Sequence, residues 1–271
     1  MITENKSDYR KLTTFGEVIN IFKQQPEWIL PLIVVWCINI IVVLYSPGFK
    51  TVCVFSVSLV YACAALLEMM KQYTSQEKVN FVRALWEILI SRVISLLLLS
   101  FVWIVFGTIL IVFDLLFNQL FSNAKRNIED LDFTLKVTAV NIVNGQSSIR
   151  ALPSRFRYRA IRQTLFMILT VLIWERTGII TSYKRSKFII RKQVNEIILN
   201  PDFISKAGFY VFVPLLGLLF MKIKGIYEIA TSFSLFVMLY VVLASSFVLY
   251  VNYLQVTDKY IQFLERNSEE E

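Results

Sequence analysis

Apolar residues gather into long runs along this chain, and polar residues fall mostly between the runs. A helix needs about 20 mostly apolar residues to cross a bilayer, because each residue rises about 1.5 Å against a hydrocarbon core of about 30 Å. Five runs come near this length, 29–45, 52–67, 93–113, 207–221 and 229–254, and a sixth, 163–174, is shorter. The pattern predicts an all-α integral membrane protein with about six transmembrane helices.

Short connections pair some of these runs. A turn containing Pro47 and Gly48 joins the first two runs, and residues 222–228 join the last two. Both pairs are predicted to be helical hairpins, with a central pair between them. In that pair, residues 93–113 form a 21-residue run without an ionisable group. The shorter run 163–174 is either a tilted fourth span or a re-entrant or interfacial segment.

Segments beside the runs show helical periodicity with one apolar face. Phe15, Val18, Ile19 and Phe22 recur at helical spacing, and Pro26 ends the pattern. This is typical of an amphipathic interfacial helix at the membrane surface, and residues 82–89 repeat it before the third run.

A polar insertion separates the third and fourth runs. Within it apolar and polar residues alternate over 131–139, which predicts a β-strand, and Asn144 with Gly145 predicts a hairpin turn. The resulting division of the chain is an interfacial helix at 1–27, membrane helices 1–3 at 28–117, a polar insertion with a β-hairpin at 118–160, the fourth apolar segment with a basic amphipathic helix at 161–206, membrane helices 5–6 at 207–255, and a polar tail at 256–271.

The charge distribution predicts an orientation. With six spans, the side that carries both termini holds 17 Lys and Arg residues and the other side holds 11. The positive-inside rule then predicts that both termini are cytoplasmic. In a rival topology the third run folds back near Gly107 as a re-entrant hairpin, and residues 118–206 stay in the cytoplasm.

Composition argues against an enzyme. Of the 271 residues, 56% are hydrophobic and 18% charged, and histidine, the commonest general base, is missing. The three cysteines lie inside apolar runs without the close pairing of a metal site, and no nucleotide-binding loop or hydrolase motif occurs. We therefore predict a non-enzymatic protein without a cofactor or metal.

Basic residues are the first candidates for binding. Lys184, Arg185, Arg191 and Lys192 share one side of a predicted helix whose other side is apolar, and such a helix attracts anionic headgroups. The same residues could instead serve only as an orientation signal. Arg155, Arg157 and Arg159 precede the fourth run, where contact with headgroups or with a partner subunit is favoured over nucleic acid.

Ionisable residues at the ends of the runs are candidates for an ion pathway. Glu68, Asp114 and Glu175 lie nearest to the hydrocarbon, where burial of a charge is costly. Such a role favours the alternative function, a transporter or channel subunit. The leading expectation is a scaffold, an accessory subunit with protein partners in a membrane complex, or a lipid-interacting membrane organiser.

Residues 175–186 read E-R-T-G-I-I-T-S-Y-K-R-S after the fourth run. This resembles a prokaryotic family of multi-pass membrane proteins of unknown function, in which a span ends in Glu and the pattern E-x-x-G-x-x-x-[small]-x-K-R-S follows. The matching positions are Glu175, Gly178, Ser182, Lys184, Arg185 and Ser186. The resemblance covers most of the chain outside about 118–150, and implies a six-helix membrane domain with cytoplasmic termini and no known catalysis.

Overall fold

A computed structural model describes residues 15–45, 49–107, 128–148, 151–152, 154–194, 197–198 and 231–269. Across these ranges all regular structure is helical. The α-helices are α1 (Phe15–Gln24), α2 (Leu30–Tyr45), α3 (Phe49–Thr74), α4 (Phe81–Ser91), α5 (Val93–Val102), α6 (Ile128–Val143), α7 (Ser154–Trp174), α8 (Ile179–Lys192) and α9 (Thr231–Glu269). A 3₁₀ turn at Pro26–Ile29 leads into α2, and a π-helical turn at Trp103–Gly107 follows α5.

The chain forms two compact units. Unit 1 comprises Met1–Ile104 and Phe203–Leu254, and unit 2 comprises Val105–Asp202 and Gln255–Glu271. Helices α1 to α5 belong to unit 1, and α6 to α8 belong to unit 2. The long helix α9 contributes residues up to Leu254 to the first unit and its remaining turns to the second.

Several helices are long and apolar enough to cross a membrane. Three stretches meet this criterion singly: Pro26–Tyr45, Lys50–Thr74 and Leu235–Asn267. Two further pairs meet it only jointly, α4 with α5 and α7 with α8, and they bend by 86° and 120° between their members. The described residues therefore contain three to five candidate spans, which indicates a membrane location.

The outer faces of these helices support that location. Ile41 of α2 is 56% exposed, and Ile94 and Phe101 of α5 are 76% and 66% exposed. A face of large apolar side chains is unfavourable in water but matches the hydrocarbon of a bilayer. The helices predicted from runs 29–45, 52–67 and 229–254 are thus confirmed as candidate spans. The run 207–221 and the end of 93–113 lie outside the described residues.

Aromatic side chains hold the start of α2 in unit 1. Trp28, only 2% exposed, packs edge-on against Tyr73 of α3 with ring centroids 5.7 Å apart. Its backbone carbonyl accepts a hydrogen bond from the Tyr250 hydroxyl of α9. A second bond to α9 runs from Trp36 Nε1 to Ser246 Oγ at 2.7 Å. These long-range hydrogen bonds join α2 and the turn before it to α9 within unit 1.

Small and polar residues mediate the contact between α2 and α3. Asn39, fully buried, donates from Nδ2 to Ser58 Oγ at 3.0 Å and to its own helix at Val35 O. Ala64 and Ala65 of α3 are also fully buried. This geometry is typical of packed membrane helices, since small residues let the helices approach closely and polar side chains form hydrogen bonds between them.

The β-strand predicted at 131–139 is wrong, because α6 occupies Ile128–Val143. A strand would place Val137 and Ala139 on the same face, yet Val137 is 43% exposed and Ala139 is fully buried. Ala139 and Ile142, three residues apart, form the buried face of the helix instead. The sequence over 131–139 fits the periodicity of either a strand or a helix, and packing in unit 2 favours the helix.

The predicted turn at Asn144 and Gly145 does exist, but as the end of α6 rather than the tip of a hairpin. Gly145 adopts a left-handed φ of 79° and donates to Ile142 O at 3.1 Å, while Gln146 donates to Asn141 O at 2.8 Å. This pair of bonds is a Schellman motif, for which glycine is the usual residue because it has no Cβ.

Candidate functional site

A sharp corner joins α7 to α8 in unit 2. Helix α7 ends at Trp174, Arg176 takes a left-handed φ of 53°, and extended Gly178 begins α8. The axis turns by 120° over these four connecting residues. The family-like segment 175–186 covers this corner and the first part of α8, so the structure shows where each residue of the pattern lies.

Glu175 is the centre of the corner. Its Oε1 accepts a hydrogen bond from Arg185 Nε at 3.1 Å and another from the Tyr260 hydroxyl at 3.0 Å. The side chains of Glu175 and Arg185 are 26% and 39% exposed, so the ion pair is shielded only in part from water. One carboxylate oxygen thus links the end of α7, the second turn of α8 and the last part of α9.

Aromatic rings surround this ion pair. The Arg185 guanidinium lies 5.6 Å from the centroids of both Phe188 and Phe263, at cation–π distance. Phe188 and Phe263 pack edge to face at 6.3 Å, and Trp174 packs against Tyr260 at 5.8 Å. Arg185 is therefore held on three sides, which makes it a positioning residue of the corner.

The small residues of the segment face inward. Ser182 and Ser186 are fully buried, and Ser186 donates to Ser182 O at 2.6 Å. The Thr177 and Ser182 hydroxyls lie 2.9 Å apart and share a hydrogen bond. Small side chains at these positions allow α8 to pack closely on α7.

The opposite face of α8 is basic and exposed. Helix α8 contains five basic residues and no acidic one, and all of the basic residues except Arg185 are exposed: Lys184, Lys187, Arg191 and Lys192. Positions 184, 187 and 191 are three and four residues apart, so these side chains form one stripe along the helix. We call Lys184, Lys187, Arg191 and Lys192 the basic face.

The set predicted from the sequence shares Lys184, Arg191 and Lys192 with this face and differs from it at two positions. It includes Arg185, which turns towards Glu175 because it lies beside the buried side of the helix. It also leaves out Lys187, which stands in the middle of the stripe and which helical spacing alone identifies. Exposed Ile180 and Tyr183 adjoin the basic residues and give the surface an apolar border.

The lipid- or partner-binding role predicted for Arg159 stays a prediction, although its side chain does not lie at the surface of unit 2. Arg159 is 2% exposed, and its Nη1 donates to Ile198 O at 2.9 Å. It shares an inward face of α7 with Arg162, Gln163 and Phe166, which are buried at the same helical spacing. Arg155 and Arg157 belong to α7, but their side chains lie outside the described residues.

The three ionisable residues predicted near the hydrocarbon belong to different parts of the chain. Glu68 is 7% exposed in α3 of unit 1, and Glu175 is at the corner in unit 2. Asp114 lies outside the described residues. The ion-pathway hypothesis therefore stays a prediction.

Metal binding has no candidate site in the part of the chain that the structure describes, where no three Cys, Asp or Glu side chains are grouped closely enough to hold an ion. The cysteines are separate, with Cys37 exposed, Cys53 half-buried and Cys63 buried. The resemblance of residues 175–186 to a membrane-protein family stays a prediction. Comparison with protein families, curated proteins and solved structures finds no match for this chain.

Proposed function

We propose that this chain is a non-enzymatic, multi-pass membrane protein that binds anionic lipid headgroups through the basic face of α8. The observation that carries the proposal is the exposure of Lys184, Lys187 and Arg191 in one stripe, on a helix without acidic residues. The neighbouring Arg185 is held by Glu175. This ion pair orients α8 and does not involve the side chains of the stripe.

The energetics favour a headgroup as the ligand. Each Lys or Arg near an anionic membrane surface contributes about 1 kcal/mol, so three residues in a stripe contribute about 3 kcal/mol. Tyr183 and Ile180, both exposed beside the stripe, would lie at the boundary between headgroups and acyl chains. Long basic side chains can reach outward from that depth to the phosphates.

The proposed setting is the cell membrane of a prokaryote, which the resemblance of residues 175–186 implies, with both termini cytoplasmic, which the charge distribution predicts. In the six-span topology the basic face then meets the cytoplasmic leaflet, where anionic lipids give a negative surface potential. The biological role proposed is that of a scaffold or accessory subunit that gathers anionic lipid beside a membrane complex.

The test is lipid selection by the full-length protein. Native mass spectrometry of the purified chain, titrated with phosphatidylglycerol or with phosphatidylcholine, measures the preference for the anionic lipid. The triple variant Lys184→Gln, Lys187→Gln, Arg191→Gln should lose on the order of a hundredfold of that preference, the equivalent of about 3 kcal/mol.

A matched control removes the same charge elsewhere. Lys23, Lys78 and Lys136 are exposed outside α8, and their triple replacement by Gln should leave the preference nearly intact. Equal losses from the two triple variants would show that net charge acts rather than the basic face. Solute flux into reconstituted vesicles tests the alternative of a transporter or channel subunit, and flux lost in Glu175→Gln would favour it.

A further inference from the structure

An apolar groove of about 600 Å³ opens in unit 1, between α2, α3, α4 and α5. This volume is within the range of about 300–1,000 Å³ usual for small-ligand sites. Apolar side chains from all four helices line it, among them Val34, Ile38, Val57, Ala62, Leu85 and Leu97. The basic face of α8 belongs to the other unit and takes no part in it.

The polar side chains on the groove wall are already engaged. Ser58 accepts from Asn39 and donates to Phe55 O at 3.1 Å, and the Tyr61 hydroxyl donates to Val93 O at 3.2 Å. A polar ligand in the groove would gain few hydrogen bonds from these side chains. The chemistry of the groove therefore selects a hydrocarbon.

The shape of the groove matches a single chain. Along α3 the wall extends from Cys53 to Ala65, which at 1.5 Å per residue is about 18 Å. One leaflet of the hydrocarbon core is about 15 Å deep, so an acyl chain has the length to fill the groove. A spanning helix, about 10 Å wide and 30 Å long, would need on the order of 2,000 Å³.

The groove is continuous with the lipid-facing surface. Val34, Ile38 and Leu97 line it and are themselves 41%, 39% and 47% exposed. These side chains form the rim, so lipid that surrounds the helices has direct access. A void with an open apolar rim in a bilayer is filled by the solvent of the bilayer, which is acyl chain.

A basic side chain lies beyond the Cys53 end of the groove. Lys50 is exposed and lies one helical turn before Cys53 and Val54, on the same side of α3 as Val57. We propose that the groove holds one acyl chain of an anionic phospholipid whose phosphate binds Lys50. The inference is independent of the lipid selection proposed for the basic face of α8.

The experiment uses the full chain in nanodiscs that contain phosphatidylglycerol with a photoreactive diazirine on one acyl chain. After illumination, mass spectrometry of peptides should find the label concentrated on the groove walls of α2 and α3. The variant Ala62→Leu with Ala65→Leu fills the groove and should lower this labelling about tenfold, the equivalent of about 1.4 kcal/mol. Ile41→Phe enlarges an exposed side chain of α2 that does not line the groove, and should leave the labelling unchanged.

A second measurement uses the native thiols and needs no filled variant. Cys53 lines the groove whereas Cys37 is exposed outside it, so phosphatidylglycerol should slow alkylation of Cys53 by N-ethylmaleimide relative to Cys37. Lys50→Gln should weaken labelling by the phosphatidylglycerol probe but not by an equivalent diacylglycerol probe. Label spread over all helices by exposure, with equal protection of both thiols, would overturn the acyl-chain site; equal response of the two probes would overturn the phosphate contact.

Discussion

Glu175 and Arg185 are ten residues apart in the chain, yet Arg185 Nε donates to Glu175 Oε1 at 3.1 Å across the corner between α7 and α8. The pair closes a turn of 120° that has a left-handed residue, Arg176, at its start. Since Tyr260 donates to the same oxygen, the corner and the end of α9 depend on one carboxylate. Substitutions of Glu175, Arg185 and Tyr260 can therefore measure how much these contacts contribute to stability.

Replacing Glu175 by Gln should destabilise unit 2 by about 1 kcal/mol. The charge attraction to Arg185 is lost, but partial exposure of both side chains lets water screen it, which keeps the cost small. Unfolding in detergent, followed by circular dichroism, measures the change. The double variant Glu175→Gln with Arg185→Gln should cost less than the sum of the single variants, because the two residues interact.

The pair of Arg83 and Glu87 is the matched control for that cycle. Its Nε to Oε1 distance is also 3.1 Å, but the Arg83 side chain is 56% exposed and the pair lies within one helix. Glu87→Gln should therefore cost less than Glu175→Gln, because water screens this exposed pair more strongly. A cost equal to that of Glu175→Gln would contradict the central position of Glu175.

Tyr260→Phe should cost about 1 kcal/mol. The substitution removes only the hydroxyl that donates to Glu175 Oε1 at 3.0 Å, and keeps the ring beside Trp174. Tyr260→Ala removes the ring as well, and should cost about 3 kcal/mol or more. Similar stabilities of these two variants, measured by the same unfolding assay, would show that ring packing is unimportant here.

The local elements of this chain are largely predictable from the sequence. Helices α2, α3 and α9 follow from long apolar runs, because a bilayer requires a helix to satisfy the backbone. The amphipathic helices α1 and α8 follow from spacing, and Pro26 does mark the end of the first. Each prediction depends on residues within a few turns of one another.

The failures come from distant contacts. Tyr260 is 85 residues from Glu175, and nothing near either residue indicates their hydrogen bond. Arg159 looks like a surface charge until α7 packs its face inside unit 2. The alternation over 131–139 likewise fits a strand or a helix, and only tertiary burial of Ala139 and Ile142 decides between them.

Two glycines with equal space around them should respond differently to substitution. A Cβ added at Gly145 or at Gly178 meets no atom within 4 Å. Gly145 has a φ of 79°, so Gly145→Ala should cost about 1 kcal/mol in backbone strain. Gly178 is extended at the start of α8, so Gly178→Ser can cap the helix and should stabilise it by a few tenths of a kcal/mol.

Thermal unfolding of the two single variants in the same detergent measures this difference. Because an added Cβ meets no atom at either position, the expected difference comes from the positive φ of Gly145 and from the capping hydroxyl of serine at position 178. Equal destabilisation by both variants would contradict the left-handed C-cap assigned to Gly145.

Single substitutions on α8 should separate headgroup binding from stability. Lys187→Gln removes an exposed charge from the middle of the basic face and should weaken phosphatidylglycerol binding about fivefold, for about 1 kcal/mol, without changing the unfolding temperature. Arg185→Gln breaks the pair with Glu175, and should lower the unfolding temperature while the lipid preference stays nearly constant. Salt screens the attraction between basic residues and anionic lipid. Because the wild type has one more basic residue than Lys187→Gln, raising the salt concentration should weaken wild-type binding more. If Arg185→Gln and Lys187→Gln reduce lipid binding equally, the division of α8 into a half-buried positioning arginine and an exposed binding stripe is wrong.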